Sequence, residues 1–291
     1  MKAGQDAMRA SRAPHAEWSV VIPFYNEEAF LAATLRSIAA QTKKPARVVL
    51  VDNGSTDGSR AAAEAAIAEC DGPAVIILRE PTPGKAAALR TGLAEIDTEF
   101  VAACDADTFY PREYLAKADR LFAERGETLA AALAFGVRDA ESFAGRVARA
   151  KGAIAARLMP SQAHSGGFGQ CFRMSALRRA GGFDPAIWPF CLMDHEIIHR
   201  VSKAGAVAHA YEFWCSPSDR RADRRRVRWT LAERLLYHTI PKEGRDWLFY
   251  RWLAPRFAAR GLSALNLRER PWDARRAHAA RRSGTDSSRD A

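Results

Sequence analysis

The sequence has no run approaching the roughly 20 consecutive apolar residues that a helix needs to cross a bilayer. Residues 1–17 are small and polar with no apolar centre, so they do not read as a secretory leader. Cysteine is scarce and unpatterned: Cys70, Cys104, Cys171, Cys191 and Cys215 contain no C-x-x-C pair, and five is an odd number. This argues against a disulfide framework and a zinc site, fits a reducing cytoplasm, and leaves the thiols as small buried apolar groups. There is no G-x-x-x-x-G-K-[ST] loop, and the first apolar strand runs into Pro23-Phe-Tyr-Asn-Glu27 rather than a glycine-rich turn. A P-loop nucleotidase and a dinucleotide oxidoreductase are disfavoured on those grounds. No internal repeat is visible either.

Apolar residues make up 48% of the chain, enough to build a packed core, and 291 residues suffice for one large or two small domains. The net charge of +10 points to an anionic partner: nucleotide phosphates, nucleic acid or an acidic membrane surface. Composition does not choose among the three.

Short β-branched runs alternate with helical patterns through the first half, the mark of strand–helix–strand units on a mostly parallel sheet. Strands are expected over 18–23, 47–52, 74–78 and 100–104. Between the first two, Asn26 is placed to cap a helix with Glu27 and Glu28 in its first turn and Leu31, Leu35 and Ile38 on one face. An alanine-rich helix is expected to run to about Cys70, and another to begin at Lys85. Beyond these, a strand is expected near 130–137, a helix near 142–158, and a helix from about Asp194. The organisation is a disordered polar tail over 1–17, an α/β domain over 18–219, a basic and aromatic helical region over 220–274, and a disordered tail over 275–291.

Ligands of open parallel sheets bind outside the carboxyl ends of the strands. Three strands here end in polar residues suited to a nucleotide: Pro23-Phe-Tyr25-Asn-Glu27, Asp52 and Asp105-Ala-Asp107. In extended chain the carboxylates of Asp105 and Asp107 point the same way and can reach one hard cation, Mg2+ or Mn2+, shared with a diphosphate. Asp52 reads either as a turn initiator or as an acceptor for a base or ribose. Gly84-Lys85 opens a helix whose amides and ammonium could hold a phosphate, unless the lysine is simply solvated. Spacing alone reads Asp194 as a helix cap, with general base as the alternative.

Together these residues resemble glycosyltransferase family 2, over roughly residues 18–229. Val20-Val-Ile-Pro-Phe-Tyr-Asn-Glu27 and Val51-Asp-Asn-Gly-Ser-Thr-Asp-Gly-Ser59 are similar to the family's nucleotide-binding segments. Pro83-Gly-Lys-Ala-Ala-Ala-Leu-Arg-Thr-Gly92 is similar to its next element, with Arg90 where many members carry Asn. The resemblance implies a GT-A fold and an inverting transfer from a nucleoside-diphosphate sugar, commonly UDP-linked. It assigns donor binding to Pro23, Tyr25, Glu27, Asp52, Lys85 and Asp105, and the metal, Mn2+ or Mg2+, to Asp107 and Asp105. Ser165-Gly166-Gly167-Phe168-Gly169 and Gly181-Gly-Phe-Asp184 resemble the acceptor side, with Gly166, Gly167 and Phe168 as acceptor residues. Met193-Asp194 stands at the family's acidic pair, Met replacing the first acid, so Asp194 inherits the role of catalytic base. Arg225-Arg-Val-Arg228-Trp229 fits the R-x-x-R-W pattern of membrane-embedded synthases and adds Arg225, Arg228 and Trp229 to the donor diphosphate. With no membrane span, addition of a single sugar is implied.

Four of the seven tryptophans, Trp229, Trp247, Trp252 and Trp272, lie beyond residue 220 among arginines. Such mixing suits either peripheral attachment at the inner face of an anionic membrane, with a lipid or lipid-linked glycan as acceptor, or packing onto the catalytic domain. Two other classes compete. A basic nucleic-acid-binding protein would leave the strand-end acids without purpose and repel its own ligand. A catalytically inactive nucleotide-sugar sensor would account for the lost acid before Asp194.

Overall fold

The computed structural model describes residues 17–69, 72–158, 166–218 and 229–267. The two expected tails, Cys70, Ser165, Arg225, Arg228 and Trp272 lie outside these residues, apart from residue 17 of the first tail.

The first half alternates β1 (Trp18–Phe24), α1 (Leu31–Ala39), β2 (Arg47–Asp52), α2 (Ser59–Glu69), β3 (Ala74–Arg79), α3 (Lys85–Ala94) and β4 (Phe100–Cys104). Then come β5 (Thr108–Phe109), α4 (Tyr114–Arg125), β6 (Leu129–Leu133), β7 (Phe135–Gly136), α5 (Phe143–Leu158), β8 (Gly169–Arg173), α6 (Met174–Arg179) and α7 (Met193–Val201). Strands β9 (Ala206–Ala208) and β10 (Trp214–Pro217) precede α8 (Leu231–Thr239), a π-helix (Trp247–Leu253) and α9 (Ala254–Ala259).

Seven strands form the main sheet in the order β3-β2-β1-β4-β8-β6-β9, and β5-β10-β7 form a small second sheet. Strands β1 to β4 are parallel; β8 runs antiparallel between β4 and β6. Alternate residues of a strand face opposite sides, so Val20, Ile22, Val48 and Leu50 build one core with α1, α2 and α4. Val21, Val49 and Val51 build the other with α3, α6 and α7. Covering both faces explains why β1 and β2 read as continuous apolar runs. Pro23 falls beyond the last β1–β4 register pair, Val21↔Ala103, where its missing N–H costs that ladder nothing. Helix α3 lies close on the sheet because Gly92 has no side chain: a Cβ there would stand 2.6 Å from Val21 Cγ1.

Three local expectations are corrected. Asn26 caps no helix: it adopts φ 52°, its side chain engages Thr56, and α1 begins at Leu31 after Phe30. The strand expected near 130–137 is two strands, β6 in the main sheet and β7 in the small one. Asp105-Ala-Asp107 is a turn between β4 and β5, not extended chain.

The C-terminal apolar residues largely pack onto the catalytic domain. Leu248, Phe249, Leu253 and Phe257 are buried in a third core with Trp188, Cys191 and Tyr237, whereas Trp247 is half exposed. The cysteines among the described residues are free and buried, and burial raises the Cys171 thiol to about 12.

His209, just past β9, stacks on Phe135 with ring centroids 5.6 Å apart, and burial lowers its pKa to about 4. The folded value lies below the unfolded one of about 6.5, so the unfolded chain takes up a proton first. The stability His209 contributes is therefore complete above about pH 6.5 and is lost as the pH falls towards 4. In His209→Phe, which keeps the ring, thermal melts at pH 7 and 4.5 should differ by about 2 kcal/mol less than in the wild type. Identical acid limbs would remove His209 from this role.

Candidate active site

The carboxyl ends of β1, β2 and β4 and the start of β8 form one rim, because Phe24 pairs with Asp52 and Cys104 with Gly169. The antiparallel entry of β8 brings Gly166, Gly167 and Phe168 beside Asp105, which lies 61–63 residues back in the chain.

A chain of short contacts runs along this rim. Asp52 Oδ1 accepts from the Ser55 amide at 2.8 Å, forming the turn after β2. The side chain of the next residue, Asn53, donates to the Glu80 and Thr82 carbonyls and accepts from the Gly84 amide at 2.7 Å. Gly84, at φ 122°, then starts α3. Lys85 ion-pairs with Asp105 and also donates to the Gly167 carbonyl at 3.2 Å. The Gly167 amide donates to Asp194 Oδ2 at 3.1 Å. The structure thus joins Asn53, Lys85, Asp105, Gly167 and Asp194, with Asp52 next to Asn53 in the chain and Asp107 two residues beyond Asp105.

Asp194 sits in the first turn of α7 and does not cap it; Leu192, at φ 66°, is the capping residue. Gln170 Nε2 donates to the Asp194 carbonyl at 3.1 Å, a second tie between β8 and α7. Asp194 Oδ1 has no hydrogen-bond partner among the described residues. Trp229 packs edge-on against Tyr237 at 5.0 Å and against His195 at 6.3 Å, which places it beside the residue following Asp194.

Other expected residues take quieter positions. Pro23 is buried inside β1, and Tyr25 is half-buried just past its end. The Glu27 amide donates to Ser59 Oγ at 2.6 Å and its carbonyl accepts from Phe30 and Leu31, so it shapes the loop after β1. The Phe168 ring belongs to the core, leaving its backbone and Gly167 to border the site. Gly181 and Gly182, at φ 80° and 61°, end α6, with the Gly182 amide returning to the Leu177 carbonyl. That accounts for the glycine pair as a helix stop. Arg90 reaches Asp184 at 3.4 Å.

The metal expectation has a fitting donor set. Asp105 and Asp107 are 3% and 5% exposed, and Ser218 Oγ donates to Asp107 Oδ2 at 2.9 Å. Two hard carboxylates suit Mg2+ or Mn2+, which take few protein ligands and complete their shell with phosphate and water. Among the described residues no group of three or more His, Cys, Asp or Glu could hold a metal alone.

Sequence reasoning missed Tyr110 and Asn53. The Tyr110 hydroxyl accepts from the Asp105 amide and donates to the Phe168 carbonyl, both at 2.7 Å. Burial pushes its pKa well above the usual phenol range, so the donor proton stays in place. A tyrosine three residues past an acidic turn offered no signal, since both partners are backbone atoms.

The architecture is the GT-A arrangement. The mannosyltransferase PcManGT of Pyrobaculum calidifontis, in complex with GDP-Man and Mn2+, superposes with a TM-score of 0.60 at 24% identity, over 89% of this chain and 80% of that one. TarS of S. aureus in complex with UDP-GlcNAc gives 0.54 at 17% identity, over 83% and 73%. The sequence profile of Glycosyl transferase family 2 matches residues 19–180, and the chain belongs to that family. A Pseudomonas fluorescens undecaprenyl-phosphate 4-deoxy-4-formamido-L-arabinose transferase is 38% identical over 98 residues, 33% of this chain and 29% of that protein. The Salmonella paratyphi A protein of the same name is 33% identical over 117 residues, 38% and 36%. The chain spans about a third of the length of these curated relatives.

Tyr110→Phe removes both hydrogen bonds made by the buried hydroxyl, a cost of about 1–3 kcal/mol. The melting temperature should fall by roughly 3–10 °C, measured by differential scanning calorimetry. A melt within about a degree of wild type would show that the hydroxyl does not join the two loops.

Proposed function

We propose that the chain is an inverting glycosyltransferase that moves a sugar from a nucleoside diphosphate, UDP as the first candidate, to an acceptor hydroxyl. The single observation that carries this reading is the hydrogen-bonded line from the β2 turn through Lys85 and Asp105 to Gly167 and Asp194. It sets a donor side and an acceptor side against one carboxylate. Tyr25, Glu27 and Asp52 line the nucleoside end. Asp105 and Asp107 would hold the divalent cation, which when bound neutralises charge growing on the departing diphosphate. Arg225, Arg228 and Trp229 are assigned to the same diphosphate by sequence pattern.

Transfer is one in-line displacement at the anomeric carbon. Asp194 Oδ2 is held by the Gly167 amide, and Oδ1 takes the proton from the attacking hydroxyl. The acceptor is a lipid or lipid-linked glycan, supported by the undecaprenyl-phosphate in the names of the relatives. The protein works from the cytoplasmic side as a peripheral membrane protein; no helix among the described residues is long and apolar enough to cross a bilayer.

Those names also favour a second reading, in which the accepting oxygen belongs to a lipid phosphate. Such an oxygen is already ionised and needs no base. Asp194→Asn separates the two. With a hydroxyl acceptor turnover should fall by roughly 10²–10⁴-fold while nucleotide affinity is retained. Near-normal turnover would remove Asp194 as base and leave the phosphate acceptor. Absence of turnover in the wild type with every donor offered would leave only the nucleotide-sugar sensor.

A further inference from the structure

Helix α5 carries its apolar residues on the wrong side for a core helix. Its buried residues are Gly145, Arg149 and Ala156, and Gly152 lies close enough to Phe135 that a Cβ would stand 3.0 Å from the ring. These four recur at helical spacing and define the face turned to the protein, which is made of small side chains and one arginine. Arg149 Nη2 donates to the Ala140 carbonyl at 3.2 Å and its guanidinium lies over the rings of Tyr211 and Trp214 at 4.6 and 5.5 Å, while Nε has no hydrogen-bond partner among the described residues.

Phe143, Val147, Ile154 and Leu158 form a second stripe. At 3.6 residues per turn it is centred about 180° from the buried one. Phe143, Ile154 and Leu158 are 76%, 60% and 74% exposed. They are three of the nine large apolar side chains exposed among the described residues. Val147 is half-buried, but an apolar stripe with its other three side chains mostly exposed is not spare core.

The charges around it are of one sign. Lys151 lies on one flank of the stripe, Arg146 and Arg157 on the other, and all three are exposed. The helix contains no Asp or Glu; the acids nearest in sequence, Asp139 and Glu141, precede its first turn. Apolar residues flanked on both sides by long cationic side chains match a bilayer surface, where the stripe enters the acyl boundary and the cations reach lipid phosphates. A protein partner would need an acidic rim of matching shape; an anionic bilayer needs only its headgroups.

We propose that α5 is an interfacial helix that docks the enzyme on a bilayer rich in anionic phospholipid, stripe inward, with Arg146, Lys151 and Arg157 on the headgroups. Eight residues after Leu158 the chain enters the Gly166–Phe168 segment that borders Asp194. The docking helix is therefore tethered to the acceptor loop and can present it to the membrane. The docking stands on the helix itself; its use for a lipid-borne acceptor rests on the acceptor reading above.

The test is flotation of the full chain with vesicles of phosphatidylcholine alone or mixed with phosphatidylglycerol. Wild-type protein should float with the mixed vesicles in a salt-sensitive way and not with the neutral ones. Ile154→Asp/Leu158→Asp, both exposed, should keep its melting temperature and nucleotide binding yet lose about tenfold or more in partitioning. Leu231→Asp, on the exposed face of α8, should float like the wild type. No flotation of the wild type, equal flotation of the double variant, or loss only in Leu231→Asp would each overturn the proposal. So would a dimer that the double variant returns to monomer while neither protein floats, which assigns the stripe to a second copy. Vesicle binding without transfer to any lipid acceptor would sink the acceptor reading and leave the docking helix standing.

Discussion

A single ammonium group organises the site. Asp105 is 3% exposed, and a carboxylate taken out of water that far needs a cation or strong donors to remain charged. Lys85 supplies the cation from the first turn of α3, and the same ammonium holds the Gly167 carbonyl. Gly167 in turn fixes Asp194. The ammonium that pairs with Asp105 therefore also positions the Gly167 loop. The space is tight: a methyl added at Gly167 would stand 2.9 Å from Lys85 Nζ and 3.4 Å from Asp194 Cβ. Loss of the lysine would leave a buried charge without this ion pair and release the loop at one stroke.

The C-terminal region supports the same site from behind. His195 Nδ1 and the Tyr237 hydroxyl lie 2.9 Å apart, joining α8 to the residue after Asp194. Tyr250 donates to Glu196, which also ion-pairs with Arg200, so the π-helix grips α7 at the residue next to His195. Residues after 229 thus hold the helix that carries Asp194, and the third core is what braces this nine-residue helix. This explains why apolar residues are concentrated there without requiring all of them to meet a membrane.

What could be read from the sequence was local. Strands β1 to β4 declare themselves because both faces of a parallel sheet are covered, and the acids at their ends follow from where such strands stop. The GT-A class and the family were legible from two segments, residues 20–27 and 51–59. The remainder depended on pairing between distant residues. Nothing near Gly166 announces that β8 enters antiparallel against β4, yet that register alone carries the Gly166–Phe168 segment to Asp105. Tyr110 looks like a core aromatic and is one, but its hydroxyl joins two backbone groups 58 and 5 residues away. Asn26 had the composition of a helix cap; the left-handed turn it adopts instead serves the Ser55–Asp57 loop. The period of α5 was visible, but which of its faces met the protein was not.

The claim beneath all of this is that Asp52, Asp105 and Asp107 form one donor site completed by a divalent cation. Thermal shift of the full chain with UDP, GDP, dTDP and CMP, each with and without Mn2+, tests it directly, because a ligand of the folded state must raise its stability. At a hundredfold excess over Kd one nucleotide should stabilise by about 2.7 kcal/mol, a rise of roughly 5–10 °C, only with Mn2+ present and not in Asp107→Ala. A shift equal with and without the cation, or no shift with any nucleotide, would contradict the account.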